Sequence, residues 1–389
     1  MFAFRIVGLL MVASSLAACG PSASPAAPTS APAAPAAASP VSSPAASPKP
    51  SPASSPSAAA GAQAYTPTPL NPPVKVSIGL LSSSSDGGIL IALEKGYFKQ
   101  EGIELETQPF QTLVDMVAPA ASGQLDIAAG APAAGLYNAI GRDVNLHIVA
   151  DKGQIPSPEW DFSALAIRKD LIDSGQVKDY KDLKGLTLVT SGRGNSPEVA
   201  LATALSKGGL TLNDVNFTQM AFPDMVTALG NKAIDGGIVI EPFLSRVETE
   251  GTAVRWKTNL EIFGGRNSQI AVIVYGEKMF TNQELGRRWM IAYLRGIRDY
   301  NDAFGPKKKG FDEVVGILTK YTTVKDPRVY AQMRPAGLSP DGKLDVQSMR
   351  EDLEYYEKSG SLKVQVDLSK LIDTSFQENA VRLLGPYVP

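Results

Sequence analysis

The stretch VKVSIGLLSSSSDGGILIALEKGYF, Val74–Phe98, reads as a strand, a polar loop and a helix in immediate succession, and that reading decides the fold. In VKVSIGL (74–80) the apolar side chains alternate, as in a strand with one buried face. From Ile89 the apolar residues recur at helical spacing. Between them, LSSSSDGG (81–88) carries four serines, an aspartate and two glycines, more than a plain turn requires. In open α/β sheets, ligands bind beyond the carboxyl ends of strands, where loops enter helix amino termini. Ser83, Ser84, Ser85 and Asp86 are therefore expected on one wall of a binding cleft, with Gly87 and Gly88 permitting close backbone approach. Ser85 or Asp86 would serve equally well as an ordinary helix cap.

Working outward, β-rich runs alternate with helical ones. IELETQPF (103–110), LDIAAG (125–130), VNLHIVA (144–150) and FSALAIRK (162–169) are separated by helical candidates at 89–99, 112–122 and 133–140, which predicts βαβ units and a largely parallel sheet. The rhythm restarts with LTLVTS (186–191), VNFTQMAF (215–222), DGGIVIE (235–241) and AVRWKT (253–258), with helices beginning near Ser196 and Pro223. QIAVIVYG (269–276) follows, then helices over 282–304, 311–321, 326–333, 348–359 and 368–384. A second α/β unit inserted between two strands that pass between lobes gives a two-lobed body with a cleft. The passages are expected at about 160–168 and 268–275.

The second lobe offers a counterpart to the serine loop in TSGRGNSPEVA (190–200). Ser196, Pro197 and Glu198 read as a cap, a first-turn proline and an acidic first turn. Ser191, Arg193 and Asn195 are expected to face the serines across the cleft. Arg193 suits a sulfonate, phosphate or carboxylate ligand; a solvated loop arginine is the competing reading. Further wall candidates at strand ends are Phe110, Gln111, Ala131, Pro132, Phe222 and Asp224. Trp160, Asp161 and Phe162 precede the first passage, where a ring covers a flat ligand and a carboxylate accepts from a ring N–H; hinge packing is the alternative for Trp160. His147 alternates with Leu146 and Ile148 and reads as structural.

The run IALEKGYFKQEGIELE (91–106), followed by SGQLDIAAG (122–130), resembles the extracytoplasmic solute-binding proteins of ABC importers. Within them it is similar to the branch that includes sulfonate, taurine and nitrate binders and binders of riboflavin and of thiamine pyrimidine precursors. The resemblance covers roughly Val74 to the carboxyl end. It implies an α/β, type II periplasmic-binding-protein fold, two α/β lobes joined by two crossing strands, with a helical C-terminal region. It also implies a monomer that closes on a small-molecule ligand and delivers it to an ABC permease driven by cytoplasmic ATPase subunits, with no cofactor. Glu241, before Pro242, matches the family's position at the end of a strand of the second lobe, and either enters the cleft or pins the hinge. The aromatic candidates and neutral hydroxyls favour a flat heteroaromatic nutrient such as riboflavin or a thiamine pyrimidine; Arg193 with the serines keeps a sulfonate, taurine or nitrate in play. A ligand-sensing lipoprotein presenting its closed form to a receptor is the alternative of another class.

Ahead of Val74, residues 1–18 read as a signal peptide, with Arg5 before an apolar core. LAAC (16–19) resembles the lipobox of bacterial lipoproteins, which implies lipidation at Cys19 and extracytoplasmic anchoring to the cell membrane. Residues 19–73 are nearly all Ala, Pro and Ser, a composition that builds no core and reads as a disordered linker. The expected divisions are then 74–165 for the first lobe, 166–267 for the second and 268–389 for the return strand with helices packing on the first lobe.

The 389 residues, 44% hydrophobic, suffice for two lobes. A formal charge of −2 with scattered basic residues gives no footprint for nucleic acid. One cysteine and one histidine leave no metal spacing and no nucleophile with a matched base. P-loop, G-x-G-x-x-G and G-x-S-x-G motifs are missing. The fungal thiamine-pyrimidine synthase related to these binders depends on a cysteine-rich segment and a reactive histidine, which this chain lacks, so an enzyme is not expected.

Overall fold

The computed structural model describes residues 65–389. The expected signal peptide, Cys19 and most of the Ala/Pro/Ser segment lie outside the described residues.

Among the described residues, ten strands form two five-stranded sheets. The first has the order β2-β1-β3-β10-β4, from β1 (Val74–Leu80), β2 (Ile103–Pro109), β3 (Ile127–Gly130), β4 (His147–Gln154) and β10 (Gln269–Tyr275). The second has the order β7-β6-β8-β5-β9, from β5 (Ser163–Arg168), β6 (Thr187–Thr190), β7 (Asn216–Gln219), β8 (Gly236–Ile240) and β9 (Ala253–Thr258). The sheets are mixed, which corrects the largely parallel expectation. β1 pairs in parallel with β2 and β3, and β6 with β7 and β8. β10 and β5, each entering from the other lobe, run antiparallel to both of their neighbours.

The passages between lobes are segments rather than shared strands. Residues 155–162 carry the chain from β4 to β5, and a stretch from 259 to 268 returns it to β10. β5 belongs whole to the second sheet, so a division at 165/166 would cut it. β4 runs on through Asp151 and Lys152, beyond the expected end at 150, because both charged side chains are buried against partners and need no solvent.

The helix after β1 is broken into Gly87–Glu94 and Tyr97–Gln100 by Gly96, whose φ of 71° suits glycine. The first piece crosses the long helix Gln283–Phe304 at glycines on both sides: a Cβ on Gly296 would fall on the Gly88 carbonyl. That close crossing brings Ile89, Leu90 and Ile91 against Ile297, Tyr293 and Tyr300 in the core of the first lobe. Each large apolar side chain so enclosed contributes about 1.5–3 kcal/mol. Near the C-terminus the expected single helix over 368–384 is two, Leu368–Leu371 and Ser375–Leu384, parted where Asp373 N–H donates to the Ile148 carbonyl.

The fold begins before Val74. Tyr65 donates to the buried Glu101 carboxylate at 3.0 Å, Leu70 N–H donates to the Glu101 carbonyl, and Arg288 donates to the Thr68 carbonyl. The segment 65–73, assigned to the linker by composition, lies fastened along the first lobe.

The helix Val346–Lys358 packs Met349, Leu353 and Tyr356 into the first lobe, yet also reaches the second, through Ser196, Glu198 and Val199. The C-terminal helices therefore do not pack on the first lobe alone.

Candidate functional site

A cleft lies between the tips of the two sheets, nearly filled by its own walls, with about 20 Å³ left for the centre of a water-sized sphere. The first lobe contributes Leu81, Ser83, Ser85 and Leu113; the second contributes Ser191, Asn195, Phe222 and Ile240. The lobes touch across it. Ala134 N–H donates to the Gly194 carbonyl at 2.7 Å, and Ser84 N–H donates to the Glu241 carbonyl at 3.0 Å. This is a closed cleft.

The serine loop is built by Asp86. Its Oδ2 accepts from the backbone N–H of Ser83 at 2.8 Å and of Leu81 at 3.2 Å, and its Oδ1 meets Lys152 Nζ at 2.7 Å. Asp86 is thus fully buried and holds the loop instead of contacting the cavity. Ser83 and Ser85 face the cavity with their hydroxyls 2.9 Å apart, while Ser84 is buried behind them and does not line it. Gly153 of β4 lets this loop approach: a Cβ there would stand 3.2 Å from both Ser85 Cβ and the Phe162 ring.

On the facing wall the helix Ser196–Lys207 is capped by Asn195, whose Oδ1 accepts from Glu198 N–H. The cap expected at Ser196 is one residue earlier. Ser196 opens the helix and turns its hydroxyl to Asp352 Oδ2 at 3.0 Å, away from the cavity. Burial pushes the Asp352 carboxyl up to about 7, and the nearby Glu351 charge acts in the same direction. Ser191 and Asn195 line the cavity as expected.

Arg193 does not. It is exposed, lies over the Phe217 ring at 4.5 Å, and lines an outer hollow with Asp115, Gln219 and Met220 that opens beside the cleft. Its place beyond the cap points the side chain outward, so the structure corrects its expected role opposite the serines.

Of the remaining candidates, Gln111, Ala131, Phe162 and Phe222 line the cavity. Phe110 packs over the core of the first lobe, and the Pro132 carbonyl accepts from Tyr356. Trp160 packs at the passage between lobes. Asp161 is buried, accepting from Leu260 N–H at 3.0 Å, and burial raises its carboxyl above the usual range. Asp224 is an exposed first-turn acid. Glu241 is fully buried, accepting from Ser245 and paired with Arg255 at 2.5 Å; burial raises its carboxyl despite that pairing. None of these six lines the cavity, and Glu241 takes the hinge-pinning alternative. His147 stacks on Phe280 at 3.4 Å on the far side of the first lobe.

Sequence reasoning missed the aliphatic lining, Leu81, Leu113, Val114, Ile240 and Ile270, because such residues look like any core. It also missed Lys152, which lies fully buried behind the serines. Among the described residues no cluster of three His, Cys, Asp or Glu could hold a metal. The site offers hydroxyls, two side-chain amides and apolar surface, a set for binding.

A family profile described as NMT1/THI5 like matches residues 84–302, more than half of the chain. A relative named putative binding protein from Brucella abortus is 26% identical over 214 residues, 55% of this chain and 62% of that protein. The chain thus spans under two thirds of the length of the curated relatives it matches. Among solved structures, the alkanesulfonate-binding protein SsuA of Xanthomonas axonopodis pv. citri, bound to MOPS, is similar with a TM-score of 0.62 at 14% identity, covering 78% of this chain and 99% of that one. The periplasmic nitrate-binding protein NrtA of Synechocystis gives 0.64 at 12% identity, covering 80% and 89%. The desulfurization enzyme DSZB gives 0.54 at 13% identity, covering 79% and 99%. The architecture is the periplasmic-binding-protein fold.

Proposed function

This chain belongs to the NMT1/THI5-like family, and on that footing we propose that it is the solute-binding component of an ABC-type importer. It captures a small organic nutrient between its lobes, and a membrane permease recognises the closed form. The observation that carries this is a cavity lined from both lobes, with Ser83 and Ser85 opposite Ser191 and Asn195. A guest touching both walls stabilises the closed form in proportion to its differential affinity for it. The polypeptide itself performs no chemistry in this reading, and Cys19 is its lipid anchor outside the cell membrane.

For the ligand, the Phe162 and Phe222 rings among aliphatic neighbours favour a flat heteroaromatic body. Riboflavin and a thiamine pyrimidine precursor are the candidates of that kind. A second reading, a sulfonate, taurine or nitrate, draws on the facing serine hydroxyls and on SsuA and NrtA as fold neighbours. It draws nothing from Arg193.

The test is titration of the purified full chain with the aminopyrimidine, riboflavin, taurine and nitrate, followed by tryptophan emission, to which Trp160 at the hinge contributes beside Trp256 and Trp289, and by melting temperature. One class is expected to shift both. Silence toward all four rejects the ligand ranking. Failure of the closed protein to stimulate ATP hydrolysis by any permease encoded beside it rejects the importer role.

A further inference from the structure

We propose that closure of the cleft is coupled to proton uptake at Asp352: the carboxyl is neutral where the lobes meet and ionises when they part. It is carried by a helix seated in the first lobe, and its hydrogen bond crosses to the second. This rests on the lobes parting to admit a guest, as the importer reading requires, and not on which guest.

Asp352 is buried by both halves. Met349, Leu353 and Tyr356 of its own helix share an apolar cluster with Leu136 and Tyr137 of the helix Ala134–Ile140, in the first lobe. Val199, from the helix Ser196–Lys207 of the second lobe, joins that cluster, and Ser196 Oγ stands 3.0 Å from Asp352 Oδ2. Parting the lobes takes away the hydroxyl and the apolar cover together, and water reaches the carboxyl. The movement also gives up the Ala134–Gly194 and Ser84–Glu241 hydrogen bonds, so ionisation tips a balance that other contacts share.

Among the described residues Asp352 forms no ion pair. The ionisable groups on the elements packed around it are Tyr137 of the helix Ala134–Ile140, Glu351, Tyr355 and Tyr356 of its own helix, and Glu198 of the facing helix. Burial keeps the Tyr137 and Tyr356 phenols neutral. Glu198 accepts from Gly194 N–H and from the Tyr355 hydroxyl, each at 3.2 Å. Arg266 is drawn to Glu351 at 2.5 Å, and Arg193 lies over Phe217. A carboxylate enclosed there would have one hydroxyl to hold its charge, and burying an ion so poorly paired is unfavourable. The closed form therefore retains the proton, in line with the upward shift that burial imposes, and the open form returns to the ordinary carboxylate range. Below that range both forms are protonated and closure is indifferent to pH. Above it the open form alone is ionised, so closing weakens about tenfold per pH unit until about 7, where the profile levels off.

The test uses the full chain carrying Cys19→Ser, free of any guest, with spin labels on Arg142→Cys in the first lobe and Ser206→Cys in the second, both exposed positions. Distance distributions from pH 5 to pH 8 give the ratio of closed to open protein. That ratio is expected to fall on the order of a hundredfold, two pH units of one proton. Asp352→Asn carries no charge there and should stay closed at pH 8 with a flat profile. A merely mechanical part for Asp352 would instead open that variant equally at every pH. Ser196→Ala removes a hydrogen bond that favours the ionised form, so its profile should move to higher pH; this arm carries the test if Asp352→Asn does not fold. Asp151, Asp161 and Glu241, also raised by burial, remain in every variant. A wild-type ratio that changes by less than about threefold, a profile that persists in Asp352→Asn, an Asp352→Asn chain open throughout, or an unmoved profile in Ser196→Ala overturns the inference. No ligand or permease enters the measurement, so failure of the importer role is read separately.

Discussion

Asp352→Asn should remove a large part of the acid–alkaline difference in stability. The carboxyl is buried on the helix Val346–Lys358, with the Ser196 hydroxyl as its donor. In the unfolded chain it loses its proton near 3.8; in the folded chain burial holds the proton to about 7. Below pH 3.8 both states are protonated and the fold is unburdened. Between the two values the folded state retains a proton that the unfolded state has lost, so stability falls as pH rises, and above about 7 the charge must be buried. At ~1.4 kcal/mol per pH unit, this interval amounts to about 4 kcal/mol. Asparagine keeps an acceptor for Ser196 and carries no charge, so the variant escapes this decline. Asp151, also pushed up to about 7 by burial, stays in both proteins and cancels in the comparison. The assay is urea denaturation of wild type and variant from pH 4 to pH 8. The variant should be the more stable at pH 8, with the gap closing toward pH 4. Parallel profiles for the two proteins, or a variant that is weaker at pH 8, would refute the burial argument.

Arg255→Met should cost about 3–5 kcal/mol, because it strands the Glu241 carboxylate in the hinge; a melting temperature unchanged from wild type would contradict this. Gly153→Ala should push apart Ser85 and Phe162, at 3.2 Å each from the new methyl, costing about 1–3 kcal/mol and weakening ligand binding, read by calorimetry. Arg193→Ala should leave stability within about 0.5 kcal/mol and affinity for the inner cavity within about threefold. A large loss of affinity there would return Arg193 to the binding set.

The alternation of strands and helices was legible because its period is local: VKVSIGL and QIAVIVYG became β1 and β10 with little change. The serine loop and the Asn195 region were legible because small polar residues at strand ends have few structural uses in such number. Which serine faces the guest was not, since Ser83, Ser84 and Ser85 differ only in backbone angles set by Asp86. Asp86, Asp161 and Glu241 were misassigned to the wall for a common reason. A carboxylate beside a cleft and one buried behind it look alike in sequence, and the partners that separate the cases, Lys152, Leu260 and Arg255, lie 66, 99 and 14 residues away. Lys152 itself stands in DKGQ, which reads as the end of a strand until its ion pair is seen.

The helix Val346–Lys358 begins beside the returning passage, where Gln269 N–H donates to Ser348 Oγ at 2.6 Å, and runs to the facing tips, where Tyr356 donates to the Pro132 carbonyl and Asp352 meets Ser196. Two connecting segments alone would allow the halves to twist as well as to swing. A rod laid from the pivot to the lips removes one of those freedoms, so any parting of the two halves at the lips has to break the bolt that Asp352 and Tyr355 make with Ser196 and Glu198.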